Sequence, residues 1–321
     1  MLLHSVFKYL VHLLTGQCEL ERIISRHYHP GGDHHALMVE TRQSLKRSKQ
    51  LKSEALLLVG PNPKQAPNSA SIVQAIAVCK RLPPKVQPGL QSVVESLAQT
   101  TSAVLYLSEL AQQQFSHEHD MEMLEELWNS LKPGQELQGG NPRRSQSWGE
   151  IGFQGVDPAT DFRGGGLLAL ENLRYFASKA ETCELARGIL VQHGRDVTDG
   201  GIPFACVGIN ITAFLLGLVV KRKVDDLFAI IPNRAVAGGA VGERRPLLQS
   251  QHEEEEVVNV SEMAQERFNK CYCVLFVLFA KRWEEAKPKD AMGFPHVFNP
   301  FKLEVERVLS TSRGLQALLE L

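Results

Sequence analysis

Three features of the sequence predict an all-α fold. Apolar residues recur at helical spacing through most segments, as at Leu124, Leu127, Trp128 and Leu131. Strict apolar–polar alternation is nearly absent, which argues against a sheet. Proline and glycine pairs, Pro83-Pro84 and Pro133-Gly134 among them, stand where helices have to stop. The 321 residues are 43% hydrophobic and 22% charged, an ordinary globular composition, and suffice for a large core in one or two domains. A formal net charge of −1 gives no global field that favours nucleic acid. No zinc-finger spacing or RNA-binding aromatic motif occurs either.

Residues 1–26 read as a helix broken near Gly16. In its first part His4, Lys8 and His12 share one face, and no small-residue cleavage site follows. Two readings stay open there: a helix docked on the core, and a helix lying on a membrane surface. The next turn holds His27, His29, His34, His35 and Asp33, but Pro30, Gly31 and Gly32 interrupt it and the spacing fits no standard metal site. It reads as a solvated turn. His117-Glu118-His119-Asp120 likewise lacks the interval of a zinc-protease helix.

Residues 36–59 read as one helix, with Arg42, Lys46, Arg47, Lys49 and Lys52 clustered. That cluster is either a wet helix face or a surface for anionic lipid or an acidic protein. Ile72, Val73, Ile76 and Ala77 mark a helix ending before Pro83, and Val93, Val94, Leu97, Val104 and Leu107 mark a longer one. Residues 133–147 are a linker by composition. We therefore expect an N-terminal helical region, 1–132, packed on a second region, 148–321, because its wide apolar faces need cover.

The second region opens on a run from Trp148 to Gly166 so rich in Gly, Asp and Pro that no regular helix or strand fits it. Trp148, Ile151 and Phe153 are placed to pin this loop to a core, and Phe162 does the same next to Arg163. A helix follows, with Leu167, Leu170, Leu173 and Phe176 in register. Asp161 is placed to cap it. Gly164, Gly165 and Gly166 remove side-chain bulk, so that a partner surface can approach the backbone. An arginine beside free helix N–H groups attracts phosphate. The other reading is a buried structural loop with Arg163 tied to Asp157 or Asp161. A nucleotide loop is not indicated, since Gly-Lys-Ser/Thr is missing.

A loop around His193 to Asp196 comes next. Ile202 to Val220 is the most hydrophobic run, and Lys221-Arg222-Lys223 closes it. Its length approaches a membrane span. Pro203, Asn210 and Thr212 interrupt it, and Gly208 and Gly217 suit close packing, so it reads as a fully buried central helix. Residues 236–258 are polar and glycine-containing, and we expect a disordered insert there. Phe268 to Trp283 reads as a second buried helix, followed by an apolar closing segment with Met292, Phe294, Pro295 and Phe298. Leu303 to Leu319 reads as a final amphipathic helix. The six cysteines are scattered, three of them inside apolar runs, which points to a reducing compartment without disulfides.

One pattern is specific. Trp148, Gly152, Phe153, Gln154, Pro158, Thr160, Asp161, Phe162, Arg163, Gly164, Gly166, Leu170 and Leu173 stand at the spacing of the ELMO (engulfment and cell motility) domain signature, which the run resembles. Pro203-Phe204 with Gly208 to Thr212 is similar to a core helix of that domain. The likeness is strong in 148–232 and 266–312 and looser before that. It implies a compact multi-helix fold.

That family has large scaffolds without the arginine and small proteins that keep it and act as GTPase-activating proteins for Arf and Arl GTPases. This short chain keeps Arg163 and resembles the second branch. The resemblance implies that Arg163 is an arginine finger acting on a GTP-loaded partner. It implies no hydrolase activity of the chain's own, and no cofactor or metal of its own, since GTP and Mg²⁺ belong to the partner. Gln154 then either contacts the attacking water or serves the loop. Asp161 either orients the arginine or caps the helix, with Gly164 and Gly166 in support. Trp148, Phe153, Phe162, Leu170 and Leu173 pack, and Gly152, Pro158 and Thr160 complete the structural signature. The implied location is cytoplasmic, peripheral on internal membranes. A non-catalytic interaction module is the competing class, and an integral membrane protein spanning at 202–220 is a third.

Overall fold

A computed structural model describes residues 13–139, 141–193, 201–229 and 259–309. The expected insert at 236–258, the start of the N-terminal helix, the 194–196 loop and the chain past 309 lie outside the described residues. Every regular element among the described residues is helical, as the periodicity predicts. The chain divides into two compact units, Met1–Leu105 with Phe228–Met263, and Tyr106–Leu227 with Ala264–Leu321.

The first unit is built on α1 (Glu19–His27), α2 (His34–Arg47), α3 (Lys52–Val59), α4 (Ser69–Lys80) and the first part of α5 (Gln87–Gln112). Gly16 has φ +66°, which breaks the chain just before α1. Asp33 caps α2 by accepting from Ala36 N–H at 2.9 Å, and Asn68 caps α4 by accepting from Ser71 N–H at 3.0 Å. Leu20, Ile24, Leu37, Leu45, Leu58, Ile76, Leu90 and Val93 form its core. The Thr101 hydroxyl donates to the Leu58 carbonyl at 2.8 Å and joins α5 to α3. The single helix expected over 36–59 is two. Buried Leu51 turns inward, and its N–H donates to Ser48 Oγ at 3.3 Å, so the chain leaves helical geometry between Arg47 and Lys52.

The second unit contains α6 (Met121–Leu131), α7 (Gly166–Ser178), α8 (Cys183–His193), α9 (Phe204–Val220), most of α10 (Val260–Ala286) and α11 (Phe294–Leu309). Its core is aromatic. Phe204 stands 4.6 Å from Phe276 and 6.1 Å from Phe176 between ring centroids, and Phe279 is surrounded by Trp283, Phe294, Phe298 and Phe301. Pairs of this kind contribute about 0.5–1.5 kcal/mol each beyond burial. In this core Asn172 on α7 donates to the Thr212 hydroxyl on α9 at 3.0 Å.

Several boundaries differ from expectation. The helix expected at 268–283 extends over Val260–Ala286. The last helix among the described residues begins at Phe294 rather than Leu303, with Pro295 in the first turn, where a missing N–H costs little, and Pro300 inside. Helix α9 is not buried all round: Asn210 and Ala213 are exposed along one strip. Gly208 does serve close packing, since a Cβ there would sit 2.3 Å from the Tyr272 hydroxyl, but one at Gly217 would meet nothing within 4 Å. No helix of the described residues is long and apolar enough to cross a membrane. All six cysteines are free thiols.

Candidate functional site

The Trp148 loop is two short 3₁₀ turns, Gln146–Ile151 and Pro158–Gly164, joined by a bend. Trp148 and Ile151 are fully buried, and Trp148 meets Trp128 edge-on at 5.6 Å. The Trp148 indole N–H donates to the Pro142 carbonyl at 2.9 Å. The Ser145 hydroxyl donates to the Gln138 carbonyl at 2.6 Å and the Gln138 N–H donates to Ser147 Oγ at 3.2 Å, so Gln138 is stitched to the loop. Gly152 has φ +88°, and a Cβ there would lie 2.3 Å from the Phe204 nitrogen. That closeness lets the Gly152 carbonyl accept from Cys206 N–H at 3.2 Å, a donor in the first turn of α9.

The second turn carries Arg163. Asp157 starts it, accepting from Ala159 N–H at 3.1 Å. The same carboxylate meets His117 Nε2 at 3.0 Å and Arg144 Nε at 3.7 Å. Asp161 accepts from Gln154 N–H at 2.9 Å and so ties the bend to the turn. Burial raises the Asp161 carboxyl above its ordinary range, as does the Asp157 charge, while the Gln154 bond and the Arg163 charge pull the other way. Phe162 is buried between Phe115, stacked at 5.5 Å, and Phe153, edge-on at 5.6 Å.

Arg163 itself is exposed. Among the described residues it has no ion pair within 4.0 Å, so the tie to Asp157 or Asp161 considered from sequence is not formed: Asp157 is taken by His117 and Arg144, and the Asp161 hydrogen bond goes to the Gln154 backbone. Nor does Asp161 cap the following helix. Gly165 occupies that position, without a side-chain cap bond.

The three glycines are not alike. Gly164 is exposed, but Gly165 and Gly166 are buried. A Cβ on Gly166 would stand 2.3 Å from the Ala111 carbonyl oxygen and 2.5 Å from that of Gln113, and φ there is +55°. The Leu167 N–H donates to the Gln113 carbonyl at 2.9 Å, so one of the helix N–H groups expected to be free is satisfied internally. Gly166 is therefore spent on packing against the end of α5, not on an open approach. Pro158, Leu170 and Leu173 are buried, and exposed Thr160 closes the turn by donating to the Asp157 carbonyl at 2.9 Å.

Two hollows adjoin the turn within this unit. A cleft of about 1070 Å³ is lined by Gly149, Gln154, Pro203, Cys206, Asn210 and Phe294, among others. A smaller one of about 220 Å³ lies between Gln154, Thr160, Asp161 and Gly164 on one side and Cys206, Ile209 and Asn210 of α9 on the other. Burial and the Asp161 charge push the Cys206 thiol up to about 12, so it is no nucleophile. Gln154 is exposed and lines both hollows. Among the described residues no group of three His, Cys, Asp or Glu is arranged to hold a metal ion. The histidines of the 27–35 turn go separate ways, His27 to Glu40 at 3.1 Å and His34 to Ser96 at 3.0 Å.

Phe115 and Arg144 have no role in the sequence analysis and His117 is weighed there only as a metal ligand, yet all three hold the arginine-bearing turn. They come from outside the signature, and only the fold brings them to Asp157 and Phe162.

A family model described as the ELMO/CED-12 family matches residues 106–298. The chain is 30% identical to ELMO domain-containing protein B of Dictyostelium discoideum, over 99% of this chain and 97% of that one. It is 29% identical to human ELMO domain-containing protein 1, over 94% of this chain and 87% of the relative. Human ELMO domain-containing protein 2 is 29% identical over 89% and 85% of the two chains.

Proposed function

The chain belongs to the ELMO/CED-12 family, and from that membership we propose that it is a GTPase-activating protein for Arf- and Arl-type small GTPases, with Arg163 supplied in trans as the arginine finger. The observation that carries this reading is the contrast within one turn. Phe162 is locked in an aromatic stack while the neighbouring guanidinium of Arg163 is exposed and without an ion pair among the described residues. A structural arginine would be paired. One that acts on a partner has to be held at its base and free at its tip.

The chemistry follows from phosphoryl transfer. In the transition state, charge spreads over the oxygens of the transferred group, and a guanidinium brought beside them stabilises it by roughly 10³–10⁵ in rate. Arginine suits the role because it stays charged and directs two hydrogen bonds at once, whereas lysine is a point charge. Gln154, exposed at the mouth of the adjoining hollows, is the second contact we assign, to the attacking water or to the partner's own glutamine. Asp161 holds the backbone of Gln154, and its charge also attracts Arg163 without forming an ion pair with it. GTP and Mg²⁺ are the partner's, and we assign no cofactor to this chain.

The test is single-turnover GTP hydrolysis on a panel of GTP-loaded Arf and Arl proteins. Wild type accelerates at least one of them, and Arg163→Lys loses most of that while unfolding at the same temperature. An unchanged rate with Arg163→Lys would refute the finger. Binding across the panel with no acceleration would instead make the protein a non-catalytic interaction module.

A further inference from the structure

We propose that the first compact unit carries a lysine-rich docking face for an anionic lipid bilayer, formed by the α2–α3 turn and the C-terminal end of α4. The inference is independent of Arg163 and of any GTPase.

Charge is segregated along this chain. Between Glu40 and Glu95 the sequence has nine lysines and arginines and a single acid, Glu54. That stretch carries a formal charge of +8 inside a chain whose total is −1. A solvated helix face has no need of such imbalance, because mixed signs serve solubility as well.

The fold gathers these charges. Lys80, at the end of α4, donates to Gln50 Oε1 in the α2–α3 turn at 2.7 Å, which brings Lys80 and Arg81 to the turn that holds Lys49. Lys46 and Lys52 line one shallow groove of about 300 Å³ together with Leu56, Val59 and Pro61. Lys46, Arg47, Lys49, Lys52 and Arg81 are all exposed. Arg47 pairs with Glu19 at 2.9 Å, but neither Lys49 nor Lys52 has an ion pair among the described residues.

Apolar side chains stand out among the charges. Leu56, on the groove between Lys52 and Pro61, is 63% exposed, and Val78, one turn from Arg81, is 73% exposed. An exposed leucine that shares its groove with two lysines matches the boundary between headgroups and acyl chains. Nucleic acid fits worse, because no Phe, Trp or Tyr occurs between Tyr28 and Tyr106 and bases would find nothing to stack on.

The experiment is co-sedimentation of the full chain with vesicles of phosphatidylcholine alone, and with vesicles in which a third of the lipid is phosphatidylserine. In about 0.1 M salt the Debye length is about 10 Å, so only charges close to the bilayer count. We expect binding to the anionic vesicles alone, and release at about 1 M salt, where the screening length falls to about 3 Å. Each basic residue near such a surface is worth roughly a factor of five, so Lys49→Gln, Lys52→Gln and Arg81→Gln together weaken the partition about a hundred-fold. These side chains are exposed, and circular dichroism should be unchanged. Leu56→Ser should weaken binding further while leaving the salt dependence alone. Equal binding to neutral and anionic vesicles overturns the proposal. So does wild-type partition of the triple variant, which would put the contact elsewhere, and so does retention of RNA or an acidic protein with no vesicle binding at all.

Discussion

Three consecutive glycines follow Arg163, and their substitution by alanine should give three different answers. Gly164 ends the 3₁₀ turn, and a Cβ there would meet only Ile209 Cγ2 at 3.8 Å, an ordinary contact. Gly164→Ala should therefore stabilise by about 0.4–1 kcal/mol, because the unfolded chain loses freedom and the native chain loses nothing. At Gly165 the new Cβ would lie 2.7 Å from the Ala169 Cβ, which is not a flexible tip that can swing away. The start of α7 has to shift, at a cost of about 1–3 kcal/mol. Gly166 combines φ +55° with backbone oxygens at 2.3 and 2.5 Å. The left-handed conformation costs a non-glycine residue about 1–2 kcal/mol, and the overpacking about 1–3 more, so about 2–5 kcal/mol in all. Urea unfolding followed by tryptophan fluorescence reads the series, with Trp128 and Trp148 as reporters in this unit. If Gly166→Ala falls within about 0.5 kcal/mol of wild type, or Gly164→Ala is the worst of the three, the described loop geometry is wrong. The same series bears on the partner. Gly164→Ala is the one variant of the three that adds bulk at the surface beside Arg163 without disturbing the fold. A loss of GTPase activation confined to it would report a partner pressed against that backbone.

Two further substitutions separate tethering from charge. Asp161→Ala leaves the Gln154 N–H without its 2.9 Å acceptor and should cost about 1 kcal/mol, discounted for partial exposure, whereas Asp161→Asn keeps an oxygen there and should stay within about 0.5 kcal/mol of wild type in the same urea titration. In the first unit, burial lowers the His34 pKa below its ordinary 6.5, with the Asp33 charge opposing. The unfolded chain then binds the proton more tightly, so the neutral ring's contribution is full above pH 6.5 and falls away as acid titrates His34 in the fold. His34→Gln should flatten the urea midpoint against pH between the neutral range and mild acid, and an unchanged slope would show that other groups set it.

The parts of this molecule that could be read from sequence are those where one periodicity runs uninterrupted. Helix α6 keeps Leu124, Leu127, Trp128 and Leu131 on one buried face, and the apolar run from 202 became α9. The break between Arg47 and Lys52 was not legible, because Leu51 continues an apolar pattern and only its inward turn ends the helix. Helix α8 was missed since Ala186 and Leu190 alone of its described side chains are buried, too few to mark a stripe. At the site, the anchoring aromatics were evident from type and spacing. The roles of Asp161 and Gly166 were not. An aspartate before a helix reads as a cap, and a glycine after an arginine reads as room for a visitor. Which backbone group each one meets depends on Gln154, Ala111 and Gln113, whose approach no local pattern encodes.

The density of anchors around so short a turn has a physical reason if Arg163 acts on a partner. Ordering backbone costs about 1–2 kcal/mol per residue, so fixing the seven residues of Pro158–Gly164 upon docking would cost about 7–14 kcal/mol. That is as large as the whole binding free energy of a micromolar to nanomolar complex, about 8–12 kcal/mol. A loop that became ordered only on the partner would leave almost nothing for association. Here the order is present beforehand: Asp157 is clamped by His117, Asp161 holds the bend at Gln154, and Phe162 is wedged between two rings. What remains to be fixed is one arginine side chain, at about 2 kcal/mol of rotamer freedom. On this view His117 matters to activation although it touches no nucleotide. Releasing Asp157 by His117→Ala should slow GTP hydrolysis by weakening partner affinity, with the rate at saturating protein close to wild type. If the saturated rate falls instead while affinity holds, His117 shapes the arginine's position in the transition state, and the entropic account of the turn fails.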